Sequence, residues 1–329
     1  MKMFVYSMRE YDELPMFEKY AKQYGVEFDY CTEFPGPDNY HLAKGYDALS
    51  ILTTPTPASM IDVMKDYGIK VISTRTIGYD HVDVKHAHEV GMGVCNVTYD
   101  PAAVADYTIM LMLIACRKMR YIMDKANVQD YTLKGKIGKE ISKSTVGVIG
   151  TGRIGKTVIK HLTGFGCKIY AYDIYESDEV RQYAEYVDLD TLYANSDIIT
   201  LHAPAFDSNY HMIDEAAFEK IRDGVIFINC ARGQLVDTTA LIRNLTNGKV
   251  GFAALDVIEK ELGIYYRDLS GTIIDNPEMH ILRSFYNVFF SPHTAFYTEE
   301  AVANMVENSI IGALAYLNGE DHKFIVKQN

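Results

Sequence analysis

The chain has no C-x-x-C pair, and its five cysteines (Cys31, Cys95, Cys116, Cys167, Cys230) are scattered and odd in number. Neither a disulfide framework nor a zinc site is indicated. Dense lysine or arginine clusters are also missing. Forty-four acids stand against 32 bases, a net charge of −12, which argues against nucleic acid as a partner. The longest strongly apolar run, Ile109 to Cys116, is far too short to cross a bilayer. Met1 to Ser7 reads as a short strand without the apolar core of a signal peptide. His81, His86 and His88 fit a solvated helix start better than a metal site. These absences predict a soluble, cytoplasmic protein with no metal and no membrane partner.

What is present is alternation. Apolar runs of strand length alternate with helix-like segments through nearly all 329 residues, the pattern of α/β architecture with parallel sheets. In the first hundred residues the expected strands are Met3–Ser7, Val26–Tyr30, Ala48–Leu52, Lys70–Thr74 and Val94–Val97. A second series runs through Thr145–Ile149, Lys168–Tyr172, Asp197–His202, Val225–Asn229, Gly251–Leu255 and Asn287–Phe290. Only the second carries a phosphate-binding glycine signature, which suggests a cofactor domain and a substrate domain with a cleft between them. Asp100-Pro101 is expected to open one long helix reaching about Asn127. Its middle, Val104 to Cys116, is apolar nearly all round and predicts burial on several sides, with a homodimer interface as the sharper reading. Another helix is expected near Thr298 to Leu317, capped by Thr298.

The glycine signature is Gly150-Thr151-Gly152-Arg153-Ile154-Gly155. A β-branched run leads into it, a helix-compatible segment leads out, and a second apolar run stops at Asp173. Strand, glycine turn, helix, strand and acid together place a pyrophosphate on a helix N-terminus and a carboxylate on an adenosine ribose. A carboxylate there accepts bonds from ribose hydroxyls and repels a 2′-phosphate, so NAD is the expected cofactor over NADP.

Ligands of open parallel sheets bind beyond the carboxyl ends of the strands. Arg232, Asp256 and His293 each stand where the chain leaves a predicted strand of the second series. An arginine can fork onto a carboxylate and polarise an adjacent carbonyl. A histidinium can deliver a proton as hydride arrives, and a nearby carboxylate favours that charged form. Glu261 is the candidate for this carboxylate, while spacing leaves Glu259 open.

The stretches Thr74–Asp83, Val146–Gly155, Asn229–Asp237 and Ser291–Thr298 make the whole chain resemble the D-isomer-specific 2-hydroxyacid dehydrogenases, in the D-lactate and D-2-hydroxyisocaproate branch. The resemblance implies two doubly wound parallel-sheet domains. A flavodoxin-like substrate domain would take residues 1–99 and 297–329, and a Rossmann-type NAD domain residues 100–296. It implies Arg232 as substrate-binding residue, His293 as proton donor and Glu261 as its partner. It puts Arg153 and Ile154 at the pyrophosphate, Ala203, Pro204 and Asn209 along the adenosine side, and Cys230, Ala231 and Asp256 at the nicotinamide end. The backbone at Ile77 and Gly78 would hold the substrate carboxylate together with Arg232, while Tyr99, Tyr297 and the Thr54-Pro55-Thr56 loop would shape the side-chain pocket. The implied reaction is NAD-dependent reduction of a 2-oxo acid to the D-2-hydroxy acid, with pyruvate to D-lactate foremost. D-2-hydroxyisocaproate or phenyllactate formation is the alternative, and a non-catalytic NAD-sensing protein the remote one.

Overall fold

A computed structural model of the protein describes residues 1–327. The chain divides into two compact units: Met1–Asp100 with the chain from Tyr297 onward, and Pro101–Phe296. Both are built on sheets that are parallel throughout. In the first unit β1 (Lys2–Val5), β2 (Glu27–Tyr30), β3 (Ala48–Ile51), β4 (Val71–Thr74) and β5 (Gly93–Cys95) lie in the order β2-β1-β3-β4-β5. β3 and β4 are buried along their full length while the edge strand β2 is mostly exposed, as expected when helices cover both faces of a parallel sheet.

The last helix, Glu299–Leu317, belongs to this first unit, and Thr298 caps it by accepting from the Ala301 N–H at 3.2 Å. Small residues decide how closely it lies on the sheet. The Gly312 carbonyl accepts from Cys95 Sγ at 3.4 Å, and a Cβ on Gly93 would stand 2.4 Å from the Tyr316 ring. After the helix the chain pairs with β5, through Asn96 N to Phe324 O and Val326 N to Val94 O, both 2.9 Å.

The second unit holds β6 (Thr145–Ile149), β7 (Lys168–Tyr172), β8 (Glu185–Tyr186), β9 (Ile198–Leu201), β10 (Val225–Asn229), β11 (Val250–Leu255) and β12 (Val288–Phe290). Their order is β12-β11-β10-β9-β6-β7-β8. The chain starts at β6, builds outward to β8, then crosses to β9 on the other flank. Strand order therefore reverses between β6 and β9, where open α/β sheets leave a crevice for ligands. The two-residue β8 has no counterpart in the expected strands, because its length is too short for a periodic signal.

The single helix expected over 101–127 is two helices, Ala102–Cys116 and Met119–Asn127. Lys118 between them is left-handed at φ 50°. The break has a tertiary cause: the chain returns so that Lys139 N donates to the Cys116 carbonyl at 2.8 Å. A Cβ on Gly138 would lie 2.5 Å from that carbonyl oxygen. The helix also starts one residue later than expected, with Pro101 in the capping position.

The first unit encloses one ion pair completely. Arg75, directly after β4, is fully buried and pairs with the equally buried Glu13 at 2.9 and 3.3 Å. Its remaining donors go to Ser50 Oγ at 2.9 Å and the carbonyls of Tyr6 and Ser7 at 3.1 and 3.3 Å. The guanidinium thereby ties together the chain leaving β1, β3 and β4. Removing Arg75 leaves the buried Glu13 carboxylate with only the Arg9 guanidinium, at 3.4 Å, as a cationic partner, and breaking a buried pair is costly. Arg75→Met is expected to lower stability by about 3–5 kcal/mol in urea unfolding. Adding Glu13→Leu to it should recover part of that loss.

Candidate active site

At the glycine turn, two of the three glycines are demanded by packing and the third is left open. Gly150 follows β6 at φ 92°, and a Cβ there would lie 2.5 Å from Ala203 N. A Cβ on Gly155 would lie 1.9 Å from the Gly150 carbonyl oxygen, so only glycine lets the helix Arg153–Thr163 sit so close to the turn. Gly152, at the cap of that helix, has nothing within 4 Å of its would-be Cβ. Arg153 and Ile154 form the first turn behind it. An open helix N-terminus at the reversal point of the sheet is fit to receive a pyrophosphate. Asp173, one residue beyond β7, accepts from Thr151 N at 2.5 Å, Thr151 Oγ1 at 3.1 Å and Tyr175 N at 3.0 Å.

Ala203 and Pro204 follow β9 on the other side of the reversal point. Asn209 spends both ends of its amide on its own loop, accepting from Phe206 N at 2.7 Å and donating to Pro204 O at 2.8 Å. Cys230 and Ala231 leave β10 nearly buried, and burial pushes the Cys230 thiol well up.

Two strand ends further along, the polar residues converge. His293 Nδ1 donates to Glu261 Oε1 at 2.6 Å, and Glu261 Oε2 accepts from Ile258 N at 3.0 Å. Glu259 goes elsewhere, to His211 Nε2 at 2.7 Å and to Thr238 N and Oγ1 at 3.0 and 2.6 Å. The ambiguity left by spacing is thus resolved geometrically in favour of Glu261. With Nδ1 occupied, His293 Nε2 has no partner among the described residues. A histidine so held can pass a proton through Nε2 while its charge is met by the carboxylate behind.

His293 sits in a left-handed conformation, φ 54°, and Asp256 keeps it there. The Asp256 carboxylate is fully buried and accepts from Ser291 Oγ (2.7 Å), Thr294 N (2.9 Å) and Ala295 N (2.9 Å). Its carbonyl accepts from His293 N at 2.7 Å. Burial raises this carboxyl above the usual carboxylate range, against the pull of His293 and of those bonds. Arg232 is brought up on the neighbouring loop, its Nη1 donating to Ala231 O at 2.8 Å. The two loops touch at Gly233, where a Cβ would lie 2.0 Å from the Ile258 carbonyl carbon.

Sequence reasoning missed the residues that hold this turn. Ser291 is one, and Tyr266, whose hydroxyl donates to the His293 carbonyl at 2.9 Å, is another. Nothing in local pattern marks them, since both act on a turn formed by segments distant in the chain.

Ile77, Gly78, Tyr99 and Tyr297 lie in the first unit. Ile77 and Gly78 follow β4 and are half-buried, as is Tyr99. Tyr297 donates its hydroxyl to Asp12 at 2.5 Å, with the Arg9 guanidinium 5.5 Å from its ring centre. In the loop expected to shape the pocket, Thr56 is buried and bonded to the Thr54 carbonyl at 2.9 Å, so its side chain serves the loop itself.

His202, at the end of β9, has Nε2 against Thr200 Oγ1 at 3.0 Å and a buried, unpartnered Nδ1. Burial lowers its pKa to about 3. An unfolded histidine takes its proton near pH 6.5. Between those values the unfolded chain therefore binds more protons, and stability falls as pH falls. His202→Gln should flatten the loss of unfolding free energy between pH 6 and pH 4 by about 1 kcal/mol per pH unit relative to the parent. Urea titrations across that range check it.

Comparison with known proteins agrees with this geometry. Residues 109–295 match the family model described as D-isomer specific 2-hydroxyacid dehydrogenase, NAD binding domain. The chain is 43% identical over 314 residues to an aromatic 2-oxoacid reductase of Clostridium sporogenes, covering 94% of this chain and 95% of that one. It is 41% identical over 314 residues to a D-lactate dehydrogenase of Lactiplantibacillus plantarum, covering 94% of each. Among solved structures, a D-lactate dehydrogenase from Treponema pallidum superposes with a TM-score of 0.89 at 33% identity, over 100% of both chains. The glycine turn, the paired histidine and these likenesses agree: the chain belongs to the D-isomer specific 2-hydroxyacid dehydrogenase family and is an NAD-dependent D-2-hydroxyacid dehydrogenase.

Proposed function

We propose that this dehydrogenase reduces pyruvate to D-lactate, with Arg232, His293 and Glu261 as its working residues. The observation that carries the assignment of roles is the 2.6 Å bond from His293 Nδ1 to Glu261, which leaves Nε2 to deliver the proton. Bound NADH supplies the hydride. His293 protonates the carbonyl oxygen of the substrate, and Glu261 holds the imidazolium before the transfer. Arg232 orients the substrate through its carboxylate and polarises the carbonyl. Ile77 and Gly78, whose N–H groups find no acceptor within the described residues, are assigned to the substrate carboxylate. Tyr99 and Tyr297 are assigned to its side chain. Asp256 is assigned to the nicotinamide end through the turn it holds, since its own carboxylate is already filled by three donors.

A second substrate reading, a branched or aromatic 2-oxo acid, is favoured by two observations. One relative is named an aromatic 2-oxoacid reductase. The segment Leu52 to Thr56 also carries no aromatic side chain. Rates of NADH oxidation with pyruvate, 2-oxoisocaproate and phenylpyruvate decide between the two. A kcat/KM for pyruvate exceeding the others supports the first reading, and preference for phenylpyruvate overturns it. His293→Ala is expected to cut kcat by about 10²–10⁴-fold with NADH affinity unchanged. Activity that survives this change would remove His293 as proton donor.

A homodimer is proposed on the apolar surface of the second unit. Met110, Leu113, Met119 and Met123 are each more than a third exposed on consecutive helices, and Leu133 and Ile137 on the segment that follows are 87% and 83% exposed. Exposed apolar side chains recurring along neighbouring segments in this way are of the kind that marks interaction sites. Sedimentation should give a dimer for the parent and a monomer for the double variant Leu133→Asp, Ile137→Asp. A cytoplasmic location is proposed from the free cysteines and the absence, among the described residues, of a helix long and apolar enough to cross a membrane.

A further inference from the structure

The loop after β4 is held by a chain of side-chain hydroxyls whose protons can run in only one direction. Thr76 Oγ1 donates to the Gly78 carbonyl at 2.6 Å. A carbonyl can only accept, so this bond uses the one proton of the Thr76 hydroxyl. Thr74 Oγ1 lies 2.5 Å from Thr76 Oγ1, so the proton between them is that of Thr74. His81 Nε2 lies 3.2 Å from Thr74 Oγ1, whose only proton is now spent, so Nε2 carries the hydrogen of that bond. The order is fixed by counting: His81 Nε2–H to Thr74, Thr74 to Thr76, Thr76 to the Gly78 carbonyl.

The preceding carbonyls are tied inward as well. The Thr76 carbonyl accepts from Val97 N at 3.1 Å, and the Ile77 carbonyl from Asn96 Nδ2 at 2.8 Å. A trans peptide points its N–H opposite to its C=O. With these three successive carbonyls engaged, the N–H groups of Ile77, Gly78 and Tyr79 each point away from the partner of the carbonyl before them, and none has an acceptor within the described residues. Bonds in series polarise one another, which strengthens the Tyr79 N–H, the donor end of the Gly78–Tyr79 peptide.

We propose that Thr74, Thr76 and His81 are positioning residues for the substrate, fixing the loop whose backbone donors at Ile77 and Gly78 receive its carboxylate. This rests on the assignment of the carboxylate to Ile77 and Gly78. The residues touch the backbone and not the substrate, so their loss weakens a binding contact and leaves hydride and proton transfer largely intact. A mutation that removes such a contact raises KM with little change in kcat.

Thr76→Val keeps the shape and removes the hydroxyl, while Thr76→Ser keeps the hydroxyl. The first should raise KM for the preferred 2-oxo acid about five- to tenfold, the worth of one hydrogen bond, with kcat and NADH affinity close to the parent. The second should restore KM. His81→Leu should copy Thr76→Val, and His81→Gln, which retains an N–H donor, should recover; this pair also reads the chain if Thr76→Val fails to fold. Hydrogen exchange of the 76–80 segment is then followed in the full enzyme, with and without NAD+ plus phenylpyruvate or pyruvate, an oxidised pair that cannot turn over. Protection of this segment in the parent and its loss in Thr76→Val are the expected results. Parent-like KM and protection in Thr76→Val and His81→Leu overturn the positioning role while leaving the carboxylate assignment standing. A segment that gains no protection in the parent overturns that assignment, and this proposal with it.

Discussion

The Asp256 carboxylate has no exposure to water, and the surroundings of His293 are organised around that fact. A buried carboxylate is tolerated only when its oxygens are met by donors. Three donors from the chain after β12 meet it, one hydroxyl and two backbone N–H groups. Satisfying Asp256 thus curls residues 291–295 around the end of β11. The left-handed backbone of His293, which a non-glycine residue adopts only at a cost, is a consequence of that curl. Once the turn is made, Nδ1 meets Glu261 and the tautomer of the ring follows from the bond.

Glycine plays the complementary part where backbones must touch. Gly155 lets a helix rest on the Gly150 carbonyl, and Gly233 lets the loop bearing Arg232 lie against Ile258. In each case the obstacle to a side chain is backbone, which cannot step aside. The open approach at Gly152 is of a different kind, since nothing in the protein fills it. Polar satisfaction sets the orientation of the working side chains, and the absence of Cβ atoms sets how near their loops can come.

The candidate site was partly legible before any tertiary information. Gly150, Gly152 and Gly155 declared themselves because the turn, the helix start and the acid at Asp173 are local in sequence and their spacing is imposed by one βαβ unit. Arg232 and His293 were visible as polar residues at the ends of predicted strands. The choice between Glu259 and Glu261 was not visible, because it depends on which way a turn faces. Asn209 shows the reverse problem: its residue type suits a ligand, yet both ends of its amide are committed to its own loop. The helix expected over 101–127 failed at Lys118 for a tertiary reason, since Lys139, returning from further along the chain, supplies the N–H that meets the Cys116 carbonyl.

Sequence by itself determined the parallel α/β class, every strand except the two-residue β8, the glycine turn and the residue types assigned to the chemistry. These follow from periodicity and from steric rules acting over a few residues. Tertiary structure alone decided the pairing of His293 with Glu261, the inward commitment of Asp256, the burial of Arg75 with Glu13 and the direction of the Thr74–Thr76–His81 protons. Each of these rests on hydrogen bonds of about 3 Å, and most join groups from separate segments. A hydrogen bond depends on distance and angle, and neither is defined until the chain has folded.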